Sequence, residues 1–433
     1  MTARRKIAFH TFGCKLNFAE TSTIGRILPA EDFELVDISE KADVYVIHSC
    51  TVTEAAEKKC NQFIRHLKRE NPGSTLAVMG CYAEMKPDKL RAMPEVDLVL
   101  GNDQKFDLGR HLQQMARNEQ QDKAPMHDVN NEFILSYSLH DRTRSFLKIQ
   151  DGCDYYCAYC TIPFARGRSR SPTIESLLET AGRICDEGIK EIVLTGVNIG
   201  DFGKPDHETL YDLLWKMDKI LPIPRIRISS IEPDLLTDSI IDLISSSGKL
   251  MPHFHIPLQS GSDRILTLMK RKYRGEHFAG RLEKIKKVMP HACIAADVIV
   301  GFPGETEDDF DETFTFVEDL DISYMHVFTY SERPGTKAVL MEGKVPAEIK
   351  KGRSKRLHAL SEIKKRHFYD QNAGRNFNVL FESDPNKTEL FGFTENYIHV
   401  KADFDHALVN EIVLVKLNKQ DDQGSYFIMK NEE

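Results

Sequence analysis

Three cysteines fall within eight residues, Cys153, Cys157 and Cys160 of CDYYCAYC, directly after the strand-like run FLKIQ at 146–150. This CxxxCxxC loop constrains the chain more than any other feature. Thiolates are the usual ligands of iron–sulfur clusters, and a four-iron cubane takes one ligand per iron. Three local cysteines leave one iron for a ligand from elsewhere, as the open position of a catalytic metal site does. A zinc site is the alternative, but zinc hooks usually come as two pairs of cysteines or histidines, and no second hook follows.

At 433 residues the chain exceeds what one core usually supports, so two or three domains are expected. Its 41% hydrophobic and 29% charged residues describe a soluble globular protein. No window approaches the roughly 18 unbroken apolar residues of a membrane span. The opening MTARRKIAFHTFG lacks the apolar core of a secretion signal. Nine cysteines, an odd number, then read as reduced cytoplasmic thiols, several of them ligands. A net charge of −8 gives no global attraction to nucleic acid, so any such contact must be local.

Three apolar runs near the start each end in a cysteine: IAFHTFGC at Cys14, DVYVIHSC at Cys50 and LAVMGC at Cys81. Helical patterns follow at 18–28 and 53–70, the second with Thr53 placed to cap it. Such alternation predicts an open parallel α/β sheet over 1–118. Ligands collect at the carboxyl ends of such strands, where all three cysteines fall. They could therefore converge on a second cluster with three ligands and an open iron. The alternative is three buried structural cysteines. Cys60, Cys185 and Cys293 are expected to be bystanders.

GCKLNFAET (13–21), SCTVTEAAE (49–57) and GC (80–81), together with CDYYCAYC, resemble the methylthiotransferases, a family of radical S-adenosylmethionine (SAM) enzymes. Within it, GCKxN with a cysteine in CTVT resembles the branch acting on N6-threonylcarbamoyladenosine of tRNA. The isopentenyladenosine branch usually reads GCQMN and the ribosomal-protein branch GCPKN. The resemblance implies two [4Fe–4S] clusters, one on Cys14, Cys50 and Cys81, the other on Cys153, Cys157 and Cys160. It further implies SAM on the open iron of the latter and an external electron donor. The family commonly has Asn-Thr before the second cysteine, and this chain has His48 and Ser49. His48 either donates a hydrogen bond to sulfur or is a satisfied core histidine.

From Phe146 onward six strand-like runs alternate with helices: FLKIQD, EIVLTGV (191–197), RIRISSI (225–231), HFHIPLQS (253–260), AADVIVGF (295–302) and SYMHVFTY (323–330). Six β/α units over 139–370 predict a partial (β/α)6 barrel, its open side toward the N-terminal domain and its chemistry at the carboxyl strand ends. By resemblance, Thr195 and Gly196 hold the SAM amino group, Ser229 and Glu232 its ribose or methionyl part, and Ile299 and Gly301 its adenine. Tyr159 of the cysteine loop and Gln259 of HIPLQSGSD join this cofactor-binding set. Arg333 of YSERPGT is expected to face a substrate anion, with a surface salt bridge as the alternative.

Residues 346–371 form a basic helix with Lys350, Lys351, Arg353, Lys355, Arg356, Lys364, Lys365 and Arg366, opposed by Glu348, Glu362 and Asp370. Leu357, Leu360 and Ile363 make its apolar stripe. From 377 onward short strands predict a small all-β barrel over 372–433, resembling the RNA-binding TRAM domain. That segment holds six Lys/Arg against eleven Asp/Glu. Base contacts there would come from Phe391, Phe393 or Tyr397, and phosphate contacts from the basic helix. The expectation is a cytoplasmic, monomeric enzyme that methylthiolates carbon 2 of N6-threonylcarbamoyladenosine at position 37 of the tRNA anticodon stem-loop. The alternatives are methylthiolation of isopentenyladenosine or of a ribosomal protein side chain, or a non-catalytic iron–sulfur or sulfur-carrier scaffold.

Overall fold

A computed structural model describes residues 4–51, 53–117, 133–139, 143–204, 207–382, 388–421, 424 and 426–429. The first sheet has five parallel strands in the order β2-β1-β3-β4-β5: β1 (Arg5–Thr11), β2 (Phe33–Val36), β3 (Val44–Ser49), β4 (Thr75–Gly80) and β5 (Leu98–Leu100). β3 and β4 are continuous apolar runs because helices cover both faces. The short β2 and β5 are edge strands that the apolar runs had not suggested. The helix Glu54–Glu70 begins as expected, with Thr53 Oγ1 accepting from the Ala56 N–H.

Six more parallel strands form the central unit: β6 (Ser145–Lys148), β7 (Glu191–Thr195), β8 (Arg225–Ile228), β9 (His253–His255), β10 (Cys293–Val300) and β11 (Tyr324–Thr329). They pair as β6-β7-β8 and β9-β10-β11, and the halves meet through bridges Ile226–Leu250 and Ser230–His255. Alternate residues such as Leu147, Ile192, Leu194, Ile226, Ile228 and Phe254 enter one large core with the outer helices. With a side-chain period of two, Phe146, Lys148, Val193, Arg225, Arg227, His253 and His255 face the lumen. Among the described residues β6 does not pair with β11. The helix Lys15–Ile27 of the first unit lies along this gap, with Phe18 and Ala19 against Phe146 and Val193. The barrel is therefore open on the side expected, and the N-terminal unit fills it.

The last sheet is β15-β12-β13-β14-β16, with β12 (Asn376–Glu382), β13 (Glu389–Thr394), β14 (His399–Asp403), β15 (Ile412–Lys416) and β16 (Phe427–Ile428). Its β13–β14 turn closes the amino-terminal mouth of the barrel. Arg225 donates to the carbonyls of Phe393 (3.0 Å) and Asn378, and Arg227 to that of Glu395 (3.0 Å). Tyr397, in the left-handed region (φ 66°), stacks on His253 and Phe393, with the Arg227 guanidinium 4.9 Å from its ring centre. Phe393 and Tyr397 are thus committed to the barrel rather than offered to RNA bases, and Phe391 lies against Tyr426.

The long helix Ala347–Asn372 docks on β11 through Leu357, Leu360 and Ser361, the Ser361 hydroxyl accepting from the Met325 N–H. Ile363 is 65% exposed, contrary to the expected stripe. At about 100° per residue, six positions carry it roughly 240° around from Leu357, off the docking face. Arg353 is buried with Glu305 (2.6 Å) and Glu307, and Lys364 donates to the carbonyls of Glu318 and Leu320, so part of the basic face serves internal contacts. No helix among the described residues is long and apolar enough to cross a membrane.

The closure depends on Glu191, fully buried and bonded to Arg227 at 2.9 Å. Arg227→Ala leaves that carboxylate without its main partner, at a cost of about 3–5 kcal/mol. Thermal unfolding should shift down, and limited proteolysis should release the C-terminal sheet before the barrel is cut. An unchanged midpoint and cleavage pattern would contradict this closure.

Candidate active site

The N-terminal cysteines converge because β1, β3 and β4 are adjacent. Cys14 follows β1 and stands at the N-cap of the helix Lys15–Ile27, Cys50 follows β3, and Cys81 opens the helix Cys81–Met85 after β4. The glycines before Cys14 and Cys81 are there for space and conformation. Gly13 has φ +110°, and a Cβ on it would stand 2.8 Å from the Cys50 Cβ. Gly80 has φ +95°, and a Cβ there would strike the His48 ring at 2.5 Å. Asn17 donates to the carbonyls of Phe12 and Ser49 and holds its Oδ1 3.9 Å from Cys14 Sγ. Asn102 Nδ2 lies 3.7 Å from Cys81 Sγ and donates to the Ala165 carbonyl. His48 is fully buried and bonds Thr21 through Nδ1 (2.8 Å), and its Nε2 has no hydrogen-bond partner. Burial and the nearby Lys105 hold its pKa well below the usual range, so the ring is neutral.

Beneath this trio lies Glu20, which has no exposed surface. It accepts from Lys105 at 2.7 Å, Arg166 at 3.0 and 3.1 Å and Lys148 at 3.2 Å. Burial opposes its ionisation, but Arg166, Lys105 and Lys148 outweigh that and hold its pKa well below the usual carboxylate range. Arg166 also bonds Asn17 (2.8 Å) and Asp151 (3.0 Å), and Arg170 bonds Asp151 (3.0 Å). Lys148 and Asp151 frame the strand that runs into the barrel's cysteine loop, so one ionic network joins the two cysteine sets.

The barrel loop is anchored by backbone bonds, Cys153 N–H to the Gly167 carbonyl (3.1 Å) and Ala158 N–H to that of Met269 (3.0 Å). Arg271 donates to Cys157 Sγ at 3.1 Å and to Glu232, and Tyr155 donates to Asp234 at 2.7 Å. Burial pushes the Cys153 and Cys160 thiols up to about 12 each and raises Cys157 as well, so thiolates here need a positive partner. No three cysteine sulfurs among the described residues lie within 4.8 Å of one another. One zinc ion, with Zn–S near ~2.3 Å, would hold its thiolates about 4 Å apart. Both sets are too open for that, and fit a larger inorganic core.

The proposed cofactor residues lie around the carboxyl mouth. Thr195 and Ser229 are buried, the Ser229 hydroxyl without a partner. Gly196 leaves room for Gln150, whose carbonyl oxygen would lie 2.9 Å from a Cβ there. The Gln150 side chain accepts from the N–H groups of Val197 and Asn198. Glu232 is raised to about 7 by burial despite its Arg271 partner. Gln259 has φ 68° and bridges to β10 beside Ile299. Tyr159 and Ile299 border a small apolar cluster with Phe302. Gly301 has φ +74°, and a Cβ there would stand 2.4 Å from the Lys350 Cγ.

Two cations stand out. Arg333 is 4% exposed and donates to Glu57 at 2.6 Å, an acid shared with Lys86 and Thr51, and its Nε and Nη2 have no hydrogen-bond partner among the described residues. Of the two expectations for it, a substrate anion or a surface salt bridge, the Glu57 pair is a salt bridge, though a buried one, and it ties the segment after β11 to the N-terminal unit. Lys15 is half-buried and makes no hydrogen bond or ion pair among the described residues. Burial, Arg144 and Arg227 lower its pKa to about 8. Lys15 is the lysine of the GCKxN pattern, but nothing in the sequence placed it at the barrel, and Glu20, Arg166, Asn102 and Arg271 carried no signal of their own. A lysine inside the apolar run FLKIQ was the one signal of the buried network.

Fold and site together define a radical SAM protein. Residues 147–317 match the radical SAM superfamily, and residues 6–101 match the group described as uncharacterized protein family UPF0004. The fold is that of the radical SAM methyltransferase TsrM of Kitasatospora setae, with TM-score 0.56 over 75% of this chain and 73% of that one at 11% identity. The chain belongs to the radical SAM methylthiotransferase family. It is 39% identical to the threonylcarbamoyladenosine tRNA methylthiotransferase MtaB of Bacillus subtilis (95% of this chain, 94% of the relative) and 37% to that of Aquifex aeolicus (92% and 97%). A Staphylococcus epidermidis tRNA-2-methylthio-N(6)-dimethylallyladenosine synthase is 32% identical over 99% of this chain and 86% of its own length.

Glu20→Ala leaves Lys105, Lys148 and Arg166 facing one another without their shared anion, at a cost of about 3–5 kcal/mol. Purified Glu20→Ala should lose iron first from the Cys14 set, while Glu20→Asp keeps part of it. Full iron content and wild-type unfolding in Glu20→Ala would refute the network's role.

Proposed function

We propose that this protein converts N6-threonylcarbamoyladenosine at position 37 of tRNA to its 2-methylthio derivative. The observation that carries this is the meeting of two open three-cysteine sets across one ionic network, in a chain with relatives at 39% and 37% identity that bear that activity in their names. When bound, [4Fe–4S] clusters and SAM supply the radical, sulfur and methyl chemistry needed at a C–H bond that is neither acidic nor electrophilic.

The chain's own groups do the rest. Cys153, Cys157 and Cys160 would hold one cluster, and Cys14, Cys50 and Cys81 the other. Tyr159, Thr195, Gly196, Ser229, Glu232, Gln259, Ile299 and Gly301 would surround SAM. Arg271 offsets charge at Cys157, and Glu20 with its three cations keeps the N-terminal set in register with the barrel. Arg333, ion-paired to Glu57, keeps Nε and Nη2 without a hydrogen-bond partner among the described residues, and these would meet a second substrate anion such as a backbone phosphate. The cations of 347–372 not used internally, Lys351 and Lys355 among them, would contact the anticodon stem-loop backbone, and an external donor would supply electrons. The protein would act in the cytoplasm as a monomer.

Replacing Cys14, Cys50 and Cys81 together should abolish methylthiolated tRNA, read by nucleoside mass spectrometry, while 5′-deoxyadenosine formation persists. Replacing Cys153, Cys157 and Cys160 should abolish both and remove about half of the iron, for two four-iron clusters. Methylthio product from either triple variant refutes the assignment, and a wild-type product confined to isopentenyladenosine refutes the substrate.

A further inference from the structure

The threonylcarbamoyl group carries a carboxylate that neutral N6 substituents lack, and an enzyme that reads that charge needs a cation not already committed. In and around the lumen nearly every cation is. Arg144 bonds Glu382, Arg225 donates to backbone carbonyls beside Glu191, Arg227 bonds Glu191, Lys148 bonds Glu20, and Arg271 bonds Glu232. Arg333 has Glu57 as counter-ion and lies beyond the carboxyl end of β11. Lys15 has no such partner. It is half-buried, and it stands three and four residues before Phe18 and Ala19, the helix residues that pack on the lumen-facing Phe146 and Val193, so it lies on the barrel side of the helix.

Its surroundings suit an anion. His326 lines the lumen on β11, opposite Asp297 on β10, and makes ring contacts but no hydrogen bond among the described residues. Asp297, the carboxylate that could compete for Lys15, is taken by His255 Nε2 at 2.8 Å, and His255 Nδ1 is bonded to Ser230. Glu191 is held by Arg227 at 2.9 and 3.2 Å.

Position agrees with the chemistry. Carbon 2 and the N6-bearing carbon 6 of adenine flank the same ring nitrogen. A group that reads the N6 substituent must therefore lie close to the sulfur delivered to carbon 2. Lys15 directly follows Cys14, about 3.8 Å away along the backbone, where the helix Lys15–Ile27 enters the barrel's open side.

We propose that Lys15 is the specificity-determining residue that receives the threonyl carboxylate of the substrate. This rests on the substrate reading above and names the group that enforces it. A site built around an ammonium rejects the neutral analogue because that cation is left buried without a partner. A charge-assisted hydrogen bond corresponds to about ten- to a hundredfold discrimination.

The test uses reconstituted full-length enzyme and three anticodon stem-loops: one with threonylcarbamoyladenosine, one with its carboxylate capped as the methylamide, and one with isopentenyladenosine. The readout is the ratio of kcat/KM for acid over amide within each enzyme, which does not depend on how much active protein a variant yields. Wild type should prefer the acid at least tenfold, Lys15→Gln should bring the ratio to within about threefold of unity, and Lys15→Arg should keep most of the preference. An unchanged ratio in Lys15→Gln, or its loss in Lys15→Arg with iron retained, overturns the role of Lys15. Equal wild-type use of acid and amide overturns carboxylate recognition. Wild-type turnover of the isopentenyl substrate alone overturns the substrate reading itself, a separate result.

Discussion

Glu20 is the point on which the architecture turns. A carboxylate with no exposed surface is held ionised by a lysine from the first unit and by a lysine and an arginine from the barrel. Such an arrangement is stable only while every partner is present, because each charge left alone in the interior is costly. The consequence is positional. Arg166 reaches Asn17 beside Cys14, and Asn102, which accepts from Lys105, reaches Cys81. The spacing of the N-terminal cysteines is thereby referred to the same groups that fix the barrel strand leading to Cys153. Two sites that must act on one carbon atom need this rigidity, since an ångström of slack costs heavily in reactions governed by positioning.

The rest of the molecule shapes the lumen between those sites. The N-terminal helix fills the gap between β6 and β11, and the C-terminal turn carrying Phe393 and Tyr397 closes the opposite mouth. Among the described residues these contacts leave the carboxyl ends of the strands, where both cysteine sets lie, as the side for a substrate base. Charges in the lumen are mostly neutralised in place, and that makes an unpartnered cation such as Lys15 conspicuous.

What was legible in the sequence was what is local. A CxxxCxxC loop after a strand, and cysteines at the ends of three apolar runs, state their chemistry within a few residues. The parallel order of β1, β3 and β4 then brings Cys14, Cys50 and Cys81 together. The Glu20 network was not legible, because its charges come from four separate segments and look like ordinary surface residues one at a time. Phe393 and Tyr397 misled for a related reason. Strand alternation tells which residues share a face, but not that another unit covers it. Ile363 failed on angle alone, three residues from Leu360 yet rotated away from the docking line.

The central claim, that both cysteine sets serve one carbon in one lumen, is tested most directly by isotope transfer. An anticodon stem-loop bearing threonylcarbamoyladenosine with deuterium at carbon 2 is incubated with reconstituted enzyme, SAM and a chemical reductant. Both products are then analysed by mass spectrometry. One deuterium in 5′-deoxyadenosine for each methylthio group formed is the expected result. Methylthio product with no deuterium in 5′-deoxyadenosine would contradict it.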